Sequence, residues 1–242
     1  MSGEVPADHP LRGPEAAELM KAALRVRATW TGHDTEAGEA RLRMSQATRL
    51  AIAELVSTTA SEADLAEAAS LVERAVELLA ARPHGRPYEG RAEGSLGETS
   101  FVDHSPFVGW LNPLAPPIRV EVTDDRVIGT AVYGTPYEGP PGCLHGGFIA
   151  AGFDEVLGFA QSLGGQAGMT GRLDITFRSP TPLHREVRYV GRVVSVDGRK
   201  ILTHATLSDG DRLCAEATGL FISIDPAVFQ RLLTSRLADP TD

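Results

Sequence analysis

Hydrophobic positions recur at two different periods along this chain. Over roughly the first ninety residues apolar side chains return every three to four positions, the spacing of amphipathic helices. One helix is expected from Pro14 to about Trp30, with Leu19, Leu24 and Val26 among its apolar residues, and a second from about Ala37 to Thr58. A third begins after Ser61, a candidate N-cap with Asp64 three residues on, and carries Leu65, Ala68, Val72, Val76 and Leu79 at helical spacing. Each such helix has one apolar stripe and needs a surface to pack on. Residues 82–100, RPHGRPYEGRAEGSLGETS, interrupt the pattern with proline, glycine and charge, and read as a loop. Its His84, Arg86 and Arg91 are read as solvated charges. The expected division is a helical extension over 1–90, a linker over 91–100 and a second domain over 101–235.

Beyond residue 100 the period falls to two. Strands are expected at 118–122, 127–133, 171–177, 186–196, 200–207 and 213–224, with turns at Asp124-Asp125, Asp197-Gly198 and Asp209-Gly210. Between the second and third strands lies GCLHGGFIAAGFDEVLGFAQS, apolar on nearly every face from Phe148 to Ala160. The expected class is therefore α+β, an antiparallel sheet covering one long central helix, preceded by a helical extension.

That central helix carries the unusual chemistry. His145-Gly146-Gly147 stands at its start, where unpaired backbone N–H groups suit a developing negative charge and glycine permits close approach. Asp154 and Glu155 fall about two turns inside, where a carboxylate needs a partner. Successive residues diverge by about 100° on a helix, so one of the two faces the sheet or an interface and the other solvent. Asp154 is the first choice for a functional role and Glu155 the second. Seven or eight residues of helix, roughly 10–12 Å, separate Asp154 from the glycine amides. One carbonyl carbon cannot meet both within a chain, so cooperation between them predicts a two-fold dimer.

Composition narrows the picture. The 242 residues carry a formal net charge of −9, which argues against nucleic-acid binding through a basic surface. Cys143 and Cys214 offer neither a zinc spacing nor a disulfide framework, and Cys143 reads as a small packed residue. The amino-terminal residues lack a signal pattern and no run is long enough to span a membrane, so a cytoplasmic location is expected.

HGGFIAAGFDEVLGFA, MTGRLDITFRSPTPL, VDGRK and CAEATGLFISI together resemble the hotdog-fold acyl-CoA thioesterases, of the phenylacetate-pathway type and related members with HGG followed by Asp. The resemblance covers residues 101–225. It implies a hotdog fold and hydrolysis of an acyl-CoA to free acid and CoA. It implies Asp154 as general base or nucleophile, Gly146 with Gly147 as oxyanion amides, His145 supporting that loop, and Thr170 orienting water or the carboxylate. It also implies a site divided between subunits, hence a homodimer or dimer of dimers. No cofactor or metal is called for, CoA being part of the substrate. Arg178, Arg199 and Lys200 are the candidate cations for the CoA phosphates. Some relatives have an asparagine just before HGG, whereas this chain has Glu138-Gly139-Pro140-Pro141-Gly142. Dehydratases of the fold carry Asp with His five residues later, a spacing absent here. Other readings are a non-catalytic acyl-CoA binding or sensor protein, and a thioesterase acting on carrier-protein thioesters.

Overall fold

The computed structural model describes residues 36–82, 105–165 and 168–223. The expected helix over 14–30 and the loop residues His84, Arg86 and Arg91 lie outside them. Helix α1 spans Glu36–Ser57, one residue from the expected bounds at each end, and α2 spans Glu62–Ala80, starting directly after the expected cap. Ser61 caps α2 as its spacing predicts: its hydroxyl accepts from the Asp64 N–H at 3.2 Å, and the Asp64 carboxylate accepts from the Ser61 N–H in return. Packing departs from expectation, because α2 buries none of its residues. Its apolar stripe meets no surface within the described chain.

Six strands form one antiparallel sheet: β1 (Arg119–Val122), β2 (Val127–Val132), β3 (Gly168–Phe177), β4 (Glu186–Asp197), β5 (Lys200–Asp209) and β6 (Arg212–Ser223). Their spatial order is β1-β2-β4-β5-β6-β3, so β1 and β3 are the edges. The tight β4–β5 and β5–β6 turns place Gly198 at φ 54° and Gly210 at φ 58°, backbone that glycine adopts without steric cost.

Helix α3, Gly146–Ser162, is the central helix, and Ile149, Phe153, Val156, Leu157 and Ala160 face the sheet. They pack with Tyr189 of β4, Ile201, Ala205 and Leu207 of β5, and Ala215, Ala217 and Phe221 of β6 in one core. Gly152 allows the closest approach: a Cβ there would overlap the hydroxyl of Tyr189, which shares a 3.0 Å hydrogen bond with the hydroxyl of Tyr133. Both tyrosines are fully buried, and burial raises both phenol pKa values well above the ordinary range.

Residues 105–118 form a strap that reaches Glu155 of α3 through Ser105 and buries Val108, Ala115 and Ile118. Helix α1 locks this strap. The Arg49 guanidinium donates to the carbonyls of Ala115 (2.9 Å), Gly109 (3.1 Å), Trp110 (2.6 Å) and Asn112 (2.9 Å). Ser45 and Leu42, one and two turns earlier on the same face, are buried beside it.

Candidate active site

The site is organised by the first turn of α3. His145 is its N-cap, in extended backbone geometry, and its Nδ1 accepts the Gly147 N–H at 3.0 Å. The Phe148 and Ile149 amides both turn back to the His145 carbonyl. Gly146 is left with an N–H unpaired among the described residues, so one of the two expected glycine amides is available for an anion while the other fixes the histidine ring. The ring of Phe177, at the end of β3, lies beside Gly146: a Cβ there would meet its Cζ at 3.4 Å.

The loop before the cap is held on both sides. Gly142 adopts φ 72° and its N–H donates to the Glu138 carboxylate at 2.6 Å, while the Gly139 N–H donates to the Cys143 carbonyl at 2.9 Å. This closed turn stands where some relatives have the asparagine. Leu144 and His145 are then anchored through their N–H groups to the Thr181 and Tyr137 carbonyls. Tyr137 ends a one-turn 3-10 helix, Thr135–Tyr137, and its ring meets Phe148 edge-on at 4.8 Å.

Asp154 and Glu155 take opposite surroundings, and the assignment differs from a buried Asp154. Asp154 is exposed, on the same side of α3 as Gly147. Its carboxylate accepts a 2.8 Å hydrogen bond from the Thr170 hydroxyl. Glu155 turns the other way, beneath the strap, where it accepts from the Ser105 hydroxyl at 3.2 Å. Burial there lifts its carboxyl to about pKa 7; the Ser105 bond opposes the rise and the Asp154 charge adds to it.

Thr170 reaches Asp154 through an irregularity in β3. Leu173 and Ile175 pack on the core while Arg172 and Asp174 point out, so strict alternation would turn Thr170 outward too. The pairing with β6 shifts register between Thr170 and Arg172, and this bulge turns Thr170 toward the helix. The strand also starts at Gly168, three residues earlier than expected: Gly168 pairs with Ser223 of β6, and Gly171 sits in the bulge.

The three candidate cations are not gathered in one chain. Arg178 forms an ion pair with Glu216, whose carboxyl is held below its usual range chiefly by that hydrogen bond. Arg199 donates to the Ser223 carbonyl at 3.0 Å, and Lys200 opens β5. Lys200 pairs with Ile222 and Ile222 with Met169, so these two cations stand at the Thr170 end of the sheet. Arg178 follows Phe177 at the opposite end. Ser105, Tyr137 and Phe177 were absent from the sequence reading; the aromatic closing β3 beside a glycine helix start was the available signal. Among the described residues no cluster of three or more His, Cys, Asp or Glu could hold a metal ion, and no helix is long and apolar enough to cross a membrane.

Comparison with known proteins bears on the family and the fold. Residues 141–216 match the family model described as Thioesterase superfamily. A crystal structure of a thioesterase superfamily protein is 36% identical, covers 75% of this chain and 94% of its own, and superposes with a TM-score of 0.66. The chain belongs to the thioesterase superfamily. The sheet and central helix are thus the hotdog fold of that superfamily. Curated relatives include acyl-coenzyme A thioesterase THEM4 of Bos taurus, 42% identical over 96 residues (38% of this chain, 39% of the relative), and that of Xenopus laevis, 37% identical over 94 residues (38% and 42%). The chain therefore spans less than half the length of these curated relatives.

Proposed function

We propose that this superfamily member hydrolyses acyl-CoA thioesters at a site shared by two subunits. The observation that carries the reading is the hydroxyl of Thr170 on the carboxylate of Asp154, in a chain whose Gly146 amide is free at the helix start. The names of the curated relatives support the substrate class.

In this reading the Gly146 N–H, at the positive end of α3, stabilises the oxyanion that forms as the thioester carbonyl is attacked. Thr170 holds one oxygen of Asp154 and leaves the other to face water or the thioester carbon. The carboxylate either draws the proton from an attacking water, or attacks directly to give a mixed anhydride that water then hydrolyses; in both cases CoA leaves as a thiolate that needs little acid assistance. His145 fixes the loop through the Gly147 amide.

Topology supports the division between subunits. Eight positions, or about 12 Å of helix, separate Gly146 from Asp154. Along β3, Phe177 lies by Gly146 and Thr170 by Asp154, and β3 is a sheet edge with one unpaired side. Antiparallel pairing of two β3 edges about a two-fold axis sets the Asp154 end of one subunit beside the Gly146 end of the other, twice. The same pairing brings Arg199 and Lys200 of one subunit toward Arg178 of its mate, a basic neighbourhood suited to the CoA phosphates.

The test is thiol release from a panel of acyl-CoAs by the full chain and by Asp154→Asn, with binding measured in parallel. Turnover that collapses in the variant while acyl-CoA still binds supports the proposal. Tight binding with no turnover in the unaltered chain would replace it with the acyl-CoA sensor.

A further inference from the structure

Helix α2 is out of balance with the rest of the molecule. Leu65, Leu71, Val72, Val76, Leu78 and Leu79 are between 39% and 67% exposed, although α2 has a complete capping box and regular geometry. At 100° per residue they cover an arc of roughly 160°, wider than the stripe of about 100° with which a helix packs on a single surface. The free end of α1 continues the patch. Past the Arg49 clamp, Leu50, Ile52, Leu55 and Val56 are similarly uncovered. Ten half-exposed aliphatic side chains amount to on the order of 800 Å² of apolar surface, the share one partner brings to a standard interface. Monomers rarely leave a patch of that size open to water.

We infer that this helical arm is a self-association surface on which α2 and the end of α1 pack against the same helices of a second copy of the chain. Two observations select that occupant. Only residues 58–61 link α1 to α2, yet α2 buries nothing, so the hairpin contact that so short a link invites is not made within the chain. Two faces left open in one chain can close on each other between chains, which is the logic of exchanged elements in symmetric oligomers. The wide arc is also explained, because a helix in such a bundle touches two neighbours.

This surface is separate from the β3 edge, and its test does not depend on thioester hydrolysis. Sedimentation of the full chain over a range of concentrations is compared with that of a Val72→Glu, Val76→Glu double variant. Both side chains are more than half exposed, so the variant should keep a cooperative thermal transition. The expected result is a smaller assembly, or one whose dissociation constant rises at least about a hundredfold, whether or not the protein turns over acyl-CoA. An unchanged mass and dissociation constant in a folded variant would overturn the inference. Were residues 1–35 the cover instead, the variant would keep its mass and become cleavable there by protease, which overturns it equally.

Discussion

Glu155→Gln isolates a carboxyl that burial lifts into the neutral range. In the folded chain burial beneath the strap raises the Glu155 carboxyl from 4.5 to about 7. The folded state therefore holds this proton more tightly than the unfolded chain does. Its contribution to stability is complete below about pH 4.5 and is lost as pH climbs through 7. The interval corresponds to about 3 kcal/mol, given about 1.4 kcal/mol for each pH unit. Glutamine keeps an oxygen for the Ser105 hydroxyl but has no proton to lose. Subtracting the two proteins cancels the titrating groups that do not interact with Glu155, so the measurement is the difference in unfolding free energy by urea denaturation from pH 4 to pH 8. The variant should match the parent near pH 4 and become more stable by about 3 kcal/mol at pH 8. A difference that stays flat, or grows toward acid, would refute the burial argument and with it the orientation of α3.

Other consequences are direct. Asp154→Asn should lower turnover about a hundredfold or more in steady-state thiol release, the scale of a lost catalytic base, while the unfolding midpoint stays within a few degrees. Thr170→Val removes the hydroxyl but keeps the shape; turnover should fall by about tenfold with a smaller change in KM, and an unchanged kcat would remove Thr170 from the site. Gly152→Ala drives a methyl into the Tyr189 hydroxyl and should cost about 1–3 kcal/mol. Calorimetry should then show the midpoint falling by roughly 2–4 °C per kcal/mol, and a variant as stable as the parent would mean that α3 lies further from β4.

Much of the fold follows from local rules. The hairpin turns at Gly198 and Gly210, the cap at Ser61 and the start of α3 at Gly146 rest on neighbours a few residues apart, and all stand where the chain's punctuation puts them. What escaped depends on distant residues. Asp154 and Glu155 are adjacent on an apolar helix, and only the strap from 105 to 118, with Ser105 reaching across fifty positions, decides which of them is enclosed. Thr170 was legible as a site residue only through the family resemblance; its orientation comes from a bulge in the pairing of β3 with β6. The place of β3 beside β6 is equally non-local, since the meander β4-β5-β6 gives no sign that an earlier strand closes its far side.

The four carbonyls gathered by Arg49 bear on how such a protein is divided. The family match begins at residue 141, and the polar stretch before residue 100 invites excision of everything upstream. A fragment begun there would keep every strand of the sheet and the whole central helix. It would also strip the strap of its cation and turn Gly109, Trp110, Asn112 and Ala115 back to water. That same strap encloses Glu155 and, through the 3.4 Å bond from the Tyr137 hydroxyl to the Leu114 carbonyl, braces the residue whose own carbonyl anchors His145. A helix whose arginine lies more than ninety positions upstream of the glycine pair is thus a buttress of the pocket, and a minimal version trimmed to the recognisable motif would be cut off from its own scaffolding.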